Sequence, residues 1–242
     1  MDEDKLFYNR LCDLARKRDE KNAPAFSKFL GIEEQVGLKF KNAVFWGGYE
    51  GAGRKLIMFL PDWAEAEDFY DTVAAVKITS SGKKVYDHRD YLGSLMGLGL
   101  KREVIGDIAP CEGFAVVFCI SEIAPFIKEN LVQVAKSTVR VEVLSSLDGI
   151  EIKQNYLEIR GTVASGRIDC IVSFLKNTGR TAAAEMLRGG LVKLNAKEIQ
   201  DPSKQLKEGD VISIRGLGKF IFDGEKGTSR KGRAIVEIRK LI

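Results

Sequence analysis

Between Gly166 and Gly209 the chain reads G-R-I-D, a short apolar helical pattern, then G-R-T-A-A-A-E-M-L-R-G-G-L-V-K-L-N and finally L-K-E-G-D. The planar fork of arginine and the point charge of lysine match phosphate oxygens, whereas nothing in this segment pairs a nucleophile with a base. Arg180, Ala184 and Arg188 recur at four-residue spacing, so one helical face carries two guanidinium groups over a surface kept low by alanine. Such a face can lie flat on a strand of phosphates. Arg167, Lys176, Thr181, Lys193 and Lys197 extend it. The alternative is an ordinary small α+β fold whose cations are simply solvated.

Positioning these side chains requires two compact helices and a small sheet. Ser165 is a candidate cap for a helix with apolar Ile168, Ile171, Val172 and Leu175, and a second helix from Arg180 buries Ala183, Met186 and Leu187. It stops at Gly189-Gly190, where glycine tolerates a left-handed backbone. Val192 to Leu194 and Val211 to Arg215 alternate as half-buried strands, with turns at Asn195-Ala196, Asp201-Pro202 and Gly209-Asp210. Alanine tolerates positive φ poorly, so the type of the Asn195-Ala196 turn, and any contact from Asn195, stay open. The last hairpin holds Lys219 and a glycine-rich tip from Gly224 to Arg233 with Lys226, Arg230, Lys231 and Arg233. That tip is either a solvated loop or one that orders along a groove.

Charge sharpens the choice. Residues 160–242 hold 17 Lys and Arg against 9 Asp and Glu, a net of +8, while residues 1–159 hold 21 against 25, a net of −4. A total of +4 decides nothing, but this asymmetry places a polyanionic partner on the last third. R-I-D from Arg167, G-R at Arg180, G-G-L-V-K-L-N to Asn195 and E-G-D to Asp210 together resemble the S-four RNA-binding domain, named after a small-subunit ribosomal protein. The resemblance implies that the helix pair lies against folded RNA. It gives Arg167, Lys176, Arg180, Thr181, Arg188 and Lys193 as contacts, and Asp169 as the tie between the helices.

Upstream, Asp4 to Asn22 has the pattern of a helix with a very polar outer face, and Phe26, Phe29 and Leu30 suggest a second short helix. Val44 to Trp46 and Lys55 to Leu60 read as a hairpin around the turn Gly47 to Gly53, with Arg54 and Lys55 either solvated or touching RNA. Trp46, Tyr49 and Trp63 are a stacking platform or, more simply, core. From residue 74 the order is strand (74–79), helix (91–100), strands (104–108 and 114–120), helix (123–134) and strand (139–144), the split βαββαβ arrangement of ferredoxin-like folds. The Lys/Arg-Gly-Phe/Tyr run of single-strand readers is missing before Phe114 and Phe118, so this module reads as a docking scaffold.

Several function classes fall away. The opening M-D-E-D-K has the wrong charge for a signal peptide, and the longest apolar run, Phe114 to Ile120, is too short to span a bilayer, so a cytoplasmic protein without membrane association is expected. Cys12, Cys111, Cys119 and Cys170 are scattered, with one histidine in the chain, so neither a metal site nor a disulfide framework is expected. G-S-L-M-G-L-G lacks a phosphate-loop ending and follows no strand, so no nucleotide cofactor is expected either. Asp87-His88-Arg89-Asp90 reads as a helix cap rather than a catalytic group, while Arg89, Lys101 and Arg102 either extend the basic footprint or, for the last two, sit at a helix C-terminus.

D-H-R-D-Y-L-G-S-L-M-G-L-G-L-K-R, the following G-D-I and the S-four segment together resemble the YlmH family of bacterial RNA-binding proteins, also associated with cell division through genomic neighbourhood. The resemblance spans essentially the whole chain. It implies a non-enzymatic, ribosome-associated monomer that binds structured rRNA or tRNA, on the large subunit, in quality control or rescue of stalled peptidyl-tRNA. The alternative is an RNA-modifying enzyme, a pseudouridine synthase or rRNA methyltransferase with an appended S-four domain, since G-R-I-D with Asp169 is similar to a synthase's catalytic Gly-Arg-Leu-Asp. The expected architecture is α+β: an N-terminal α/β region (1–73), a ferredoxin-like, RRM-like middle domain (74–145) and an S-four domain (156–242), joined by a polar stretch from Ser145 to Asn155. The expected RNA-binding residues are Arg167, Lys176, Arg180, Thr181, Arg188, Lys193, Lys197, Lys226, Arg230 and Lys231.

Overall fold

A computed structural model describes residues 3–82, 86–152 and 156–241. It divides into two compact units, Met1–Gly31 with Lys39–Gln154, and Ile32–Leu38 with Asn155–Ile242. Both mix helix and strand, as the α+β reading requires.

The first unit opens with α1 (Glu3–Lys21), β1 (Ala25–Phe26), then, beyond α2 (Ile32–Gln35), β2 (Ala43–Trp46) and β3 (Leu56–Phe59). β1, β3 and β2 form a small antiparallel sheet in that order. Phe26, Phe29 and Leu30 are therefore extended rather than helical: Phe26 pairs with Met58 and Leu30 bridges to Lys55. Sheet pairing to the fully buried Leu56–Phe59 run outweighs the weak helical signal of a segment this short. The polar face of α1 also hides an exception. Arg18 is buried, donating from Nη1 to the carbonyls of Lys41 (2.9 Å) and Leu60 (3.2 Å), which fastens the helix to the hairpin.

Then follow β4 (Val73–Ser80), α3 (His88–Gly97), β5 (Ile105–Pro110), β6 (Phe114–Ile120), α4 (Ala124–Asn130), β7 (Gln133–Val134) and β8 (Ser137–Leu144). Their antiparallel sheet runs β5-β6-β4-β8-β7. The first four of these strands have the ferredoxin-like order. Helix α4 ends earlier than its apolar pattern suggests, because Gln133 and Val134 pair β7 with β8, Val134 staying in the core while Val132 is exposed. Asp87 caps α3 as expected, accepting from the amides of Arg89 (2.8 Å) and Asp90 (3.1 Å).

Strand β6 shows how the unit is built. Ala115, Val117 and Cys119 face the helices with Leu95 and Ile127, whereas Val116 and Phe118 face Phe29, Leu56, Met58 and Leu60 from the N-terminal hairpin. Both faces of the strand are buried, which explains its unbroken apolar run. The sequence places a module boundary at residue 73; this second hydrophobic cluster runs across it. The cluster also takes in Leu147, Ile150 and Ile152, so part of the stretch expected to be a polar linker is packed. Its end, residues 153–155, lies outside the described residues. Trp46 stacks on Tyr70, with centroids 3.9 Å apart, and Tyr49 on Phe118 at 4.7 Å. Trp63 instead stands 59% exposed, so the three aromatics form neither one platform nor one core.

The second unit contains β9 (Tyr156–Val163), α5 (Ile168–Lys176), α6 (Arg180–Arg188), β10 (Val192–Leu194), β11 (Lys197–Glu198), β12 (Val211–Ile214), β13 (Gly218–Thr228) and β14 (Ala234–Leu241). A six-stranded sheet, β11-β10-β12-β13-β14-β9, packs Ile212, Phe220, Val236 and Ile238 against Ile168, Ile171, Ala183 and Leu187 of the helix pair. Gly161 is required by this packing, since a Cβ there would overlap the Phe174 ring.

Candidate nucleic-acid interface

Helix α5 starts without a side-chain cap. Ser165 does not serve as one: its hydroxyl lies 3.7 Å from the Cys170 sulfur. The 202–206 segment supplies the first turn instead, with the Ile168 amide donating to Lys204 O (2.9 Å) and that of Asp169 to Pro202 O (3.3 Å). Backbone carbonyls close in space thus replace the local cap that the sequence suggests.

Asp169 is the hub of the helix pair. Its side chain is only 5% exposed. Oδ1 accepts from the Cys170 amide (2.9 Å) and Arg167 Nε (3.1 Å), and Oδ2 from Arg167 Nη2 (3.2 Å) and from Arg180 Nη2 (2.8 Å) and Nε (3.3 Å). Burial by itself would raise the Asp169 pKa, but the hydrogen bonds from Arg180 and then Arg167 outweigh it and the net shift is downward. The same hydrogen bond raises the pKa of Arg180. Asp169 therefore ties α5 to α6, and its oxygens are fully engaged by N–H donors.

Helix α6 ends in a Schellman arrangement. Gly190 has φ +67°, its amide donates to Leu187 O (3.1 Å), and the Leu191 amide donates to Met186 O (3.0 Å). The chain turns directly into β10, so Arg188 and Lys193 flank one tight corner. The next turn is settled as well. Asn195 and Ala196 have φ +51° and +67° in a two-residue connection between Leu194 and Lys197, a type I′ geometry. Asn195 Nδ2 donates to Asp210 Oδ1 (2.8 Å) and its Oδ1 accepts from the Val211 amide (2.8 Å). Asn195 is thus a clamp between β10 and β12.

The ten sequence-predicted residues divide into groups. Arg167 and Arg180 meet on Asp169, half-exposed yet already paired. Lys176, Thr181, Arg188 and Lys193 are exposed, and the three cations among them have no ion-pair partner among the described residues. Lys193 stands opposite Glu198 and Ser213 in register, and Lys197 begins the neighbouring strand. Lys226 lies 3.6 Å from Glu208, so its charge is partly balanced. Arg230 and Lys231 occupy the β13–β14 turn, a separate protrusion closed by the Ser229 amide donating to Arg233 O (2.7 Å). Sequence reasoning missed Arg215, exposed just after β12, whose amide donates to Leu191 O (2.9 Å) and which therefore sits beside the Arg188 corner. Its signal is a cation ending an alternating strand.

Two family models match parts of the chain. The S4 domain model matches residues 166–212, which hold the Asp169 hub, α6 and β10. A model described as "Putative RNA-binding domain in YlmH" matches residues 64–148, which hold the whole ferredoxin-like sheet. The Ribosome-associated protein quality control protein P2 of Bacillus subtilis (strain 168) is 31% identical over 239 residues, covering 96% of this chain and 93% of that protein. Among solved structures, the Cell division protein ylmH from Streptococcus pneumoniae is 19% identical with a TM-score of 0.49, covering 62% of this chain and 96% of its own. On the similarity across nearly its full length to the Bacillus protein, and on its two matching domains, the chain belongs to the YlmH family.

Proposed function

We propose that this chain is a non-enzymatic, cytoplasmic RNA-binding protein that grips structured ribosomal RNA through its S-four helix pair. Its platform is the large subunit, and its task is ribosome-associated quality control of stalled peptidyl-tRNA. The observation that carries the reading is the division of labour around Asp169. Arg167 and Arg180 lock α5 to α6, leaving Arg188 and Lys193 exposed and without an ion-pair partner among the described residues, on one tight corner. Preorganised cations of this kind favour phosphates without a large ordering cost. The printed name of the Bacillus relative supports the ribosomal setting. A synthase-like role for Asp169 is disfavoured, because a carboxylate holding five N–H donors has no lone pair turned toward a substrate.

The test is cosedimentation of the purified protein with separated small and large ribosomal subunits at low and high salt, wild type beside Arg188→Glu. Arg188 is the better probe than Arg180, whose replacement would also break the hub. Salt-sensitive pelleting with large subunits, weakened in a variant with unchanged melting temperature, is expected. Equal pelleting of both proteins at every salt concentration would remove α6 from the interface.

A further inference from the structure

The glycine that opens G-R-I-D is a contact point of its own. Gly166 is buried, its carbonyl accepts from the Leu206 amide (3.0 Å), and its amide donates to Oε1 of Glu225 (2.8 Å), a β13 residue 59 positions along the chain. Gln205 Nε2 reaches the same carboxylate oxygen (3.5 Å). A Cβ on residue 166 would stand 2.5 Å from that oxygen and displace it, so glycine is what lets the carboxylate close on the backbone. Glu225 thus fastens the β13–β14 hairpin to the residue just ahead of Arg167, beside the Asp169 hub.

Past this latch the hairpin leaves β12 behind. The β12–β13 pairing ends at Val211 with Ile221, and β13 shifts register against β14 on either side of Glu225. Such irregularities increase local twist and re-aim a strand. The apex is a closed turn rather than a loose loop. The Ser229 amide donates to Arg233 O (2.7 Å), the Gly232 amide to Ser229 O (2.9 Å) and the Arg233 amide to Ser229 Oγ (3.0 Å). Gly232 supplies the left-handed position, at φ +73°. Arg230 and Lys231 occupy the two middle positions of this turn, exposed and without an ion-pair partner among the described residues. From Lys226 to Arg233 there is no large apolar or aromatic side chain. The apex therefore has no anchor for a protein pocket or a bilayer and no ring on which a base could stack. Fixed positive charge on an ordered turn fits phosphate oxygens.

We infer that the β13–β14 hairpin is a second RNA-binding arm, in which Arg230 and Lys231 meet backbone phosphates and Glu225 is the positioning residue that holds the arm to the helix pair. This rests on the RNA-binding reading above and adds to it a contact beyond residue 212, where the S4 match ends. Arg188 lies eight residues along α6 from Arg180, about 12 Å from the hub, and the apex begins five residues past the latch. Two cation pairs on separate elements, both fastened to one hub, engage separate phosphates of a folded RNA. With no base contact, the arm positions the protein without reading sequence.

The experiment is filter binding of the full chain to deproteinised large-subunit ribosomal RNA over a salt series, for wild type, the double variant Arg230→Gln with Lys231→Gln, Glu225→Ala, Glu225→Gln and Arg188→Gln. Each lost phosphate contact lowers the slope of log affinity against log salt by about 1. The double variant is expected to lower the slope by about 2 at an unchanged melting temperature, since both side chains are exposed at the apex. Arg188→Gln lowers it independently. Glu225 separates positioning from charge. Glu225→Ala removes a negative charge, so charge alone would tighten binding; release of the arm instead weakens it several-fold and speeds amide exchange over residues 226–233. Glu225→Gln keeps an acceptor for the Gly166 amide and should bind at least as tightly as wild type. An unchanged slope in the double variant, with Arg188→Gln still impaired, would overturn the arm and leave the S-four reading standing. Glu225→Ala binding as tightly as Glu225→Gln would overturn the latch. A wild type that does not bind RNA would overturn both readings.

Discussion

Arginines do opposite electrostatic work in the two units. Around Asp169, Arg167 and Arg180 surround a buried carboxylate, and the Arg180 pKa rises. Around Ile105 O, Arg54 and Arg102 converge on backbone carbonyls, and the Arg102 pKa falls. The first arrangement is complete as it stands and stiffens a scaffold whose neighbouring cations face outward. In the second the guanidinium groups serve backbone carbonyls, and burial and then Arg54 lower the Arg102 pKa. An arginine's function is therefore set by what neutralises it, and a count of basic residues does not distinguish the two cases.

The strongest way to break the comparison is to collapse one side of it. Phe118 supports Tyr49, whose hydroxyl holds Asp107, so Phe118→Ala should loosen the Arg54 turn as well as the core. Truncating a buried Phe costs about 4 kcal/mol. A large fall in the urea midpoint is expected, with amide exchange accelerated across β3, β5 and β6 together. Protection of β3 left intact while β6 is lost would show that residue 73 is a true boundary.

That boundary illustrates what is legible in sequence. Local periodicity marks four of the five strands of the ferredoxin-like sheet but reads β7 as the end of a helix, and the turn residues mark both S-four helices. It does not show that Val116 and Phe118 face a hairpin seventy residues upstream, because an apolar run looks the same whether one face or two are covered. Nor does it show that Lys204 O and Pro202 O begin α5, since a backbone carbonyl leaves no trace in residue identity. In the interface, residue type reveals the cations but not their partners. Arg180 and Arg188, eight positions apart on one helix, look equivalent, and only the fold assigns one of them to Asp169.

Asp169→Asn tests the complete arrangement. Hydrogen bonds to a charged group contribute about 2 kcal/mol net, and the amide cannot accept from all five donors. The folded-state pKa lies below the ordinary value of 3.8, so the stabilisation is fully present above that pH and is lost as pH falls through the folded value. Denaturation midpoints of wild type and variant should stay separated from pH 7 down to about 4, then converge. Curves that never converge across the acid limb would mean that the carboxylate's charge is not what ties the helices.

A smaller effect with the opposite sign is expected next door. Ala196 has φ +67°, a conformation that costs an L-residue about 1 kcal/mol and glycine nothing. Ala196→Gly should raise stability by about that amount, less glycine's extra entropy in the unfolded chain. RNA affinity should not change, because Asn195 points to Asp210 and Val211 rather than outward. A loss of binding in the stabilised variant would place the β10–β11 turn in the interface.

The smallest signal probes the Arg54 and Arg102 corner. His88 is the chain's one histidine, so its imidazole gives a single resolved proton titration by NMR. Burial lowers its pKa and Arg102 lowers it further, partly offset by Asp107 and Asp87, with Arg54 acting in the same sense as Arg102. The midpoint should fall below the ordinary 6.5. The unfolded chain then takes up the proton first as pH drops, so stability is lost below about 6.5 and His88→Gln flattens that limb. Arg102→Gln should move the midpoint upward, because one of the two cations facing the ring has gone. A midpoint at or above 6.5 in the wild type would mean that burial and the neighbouring guanidinium groups do not outweigh Asp107 and Asp87 at the ring.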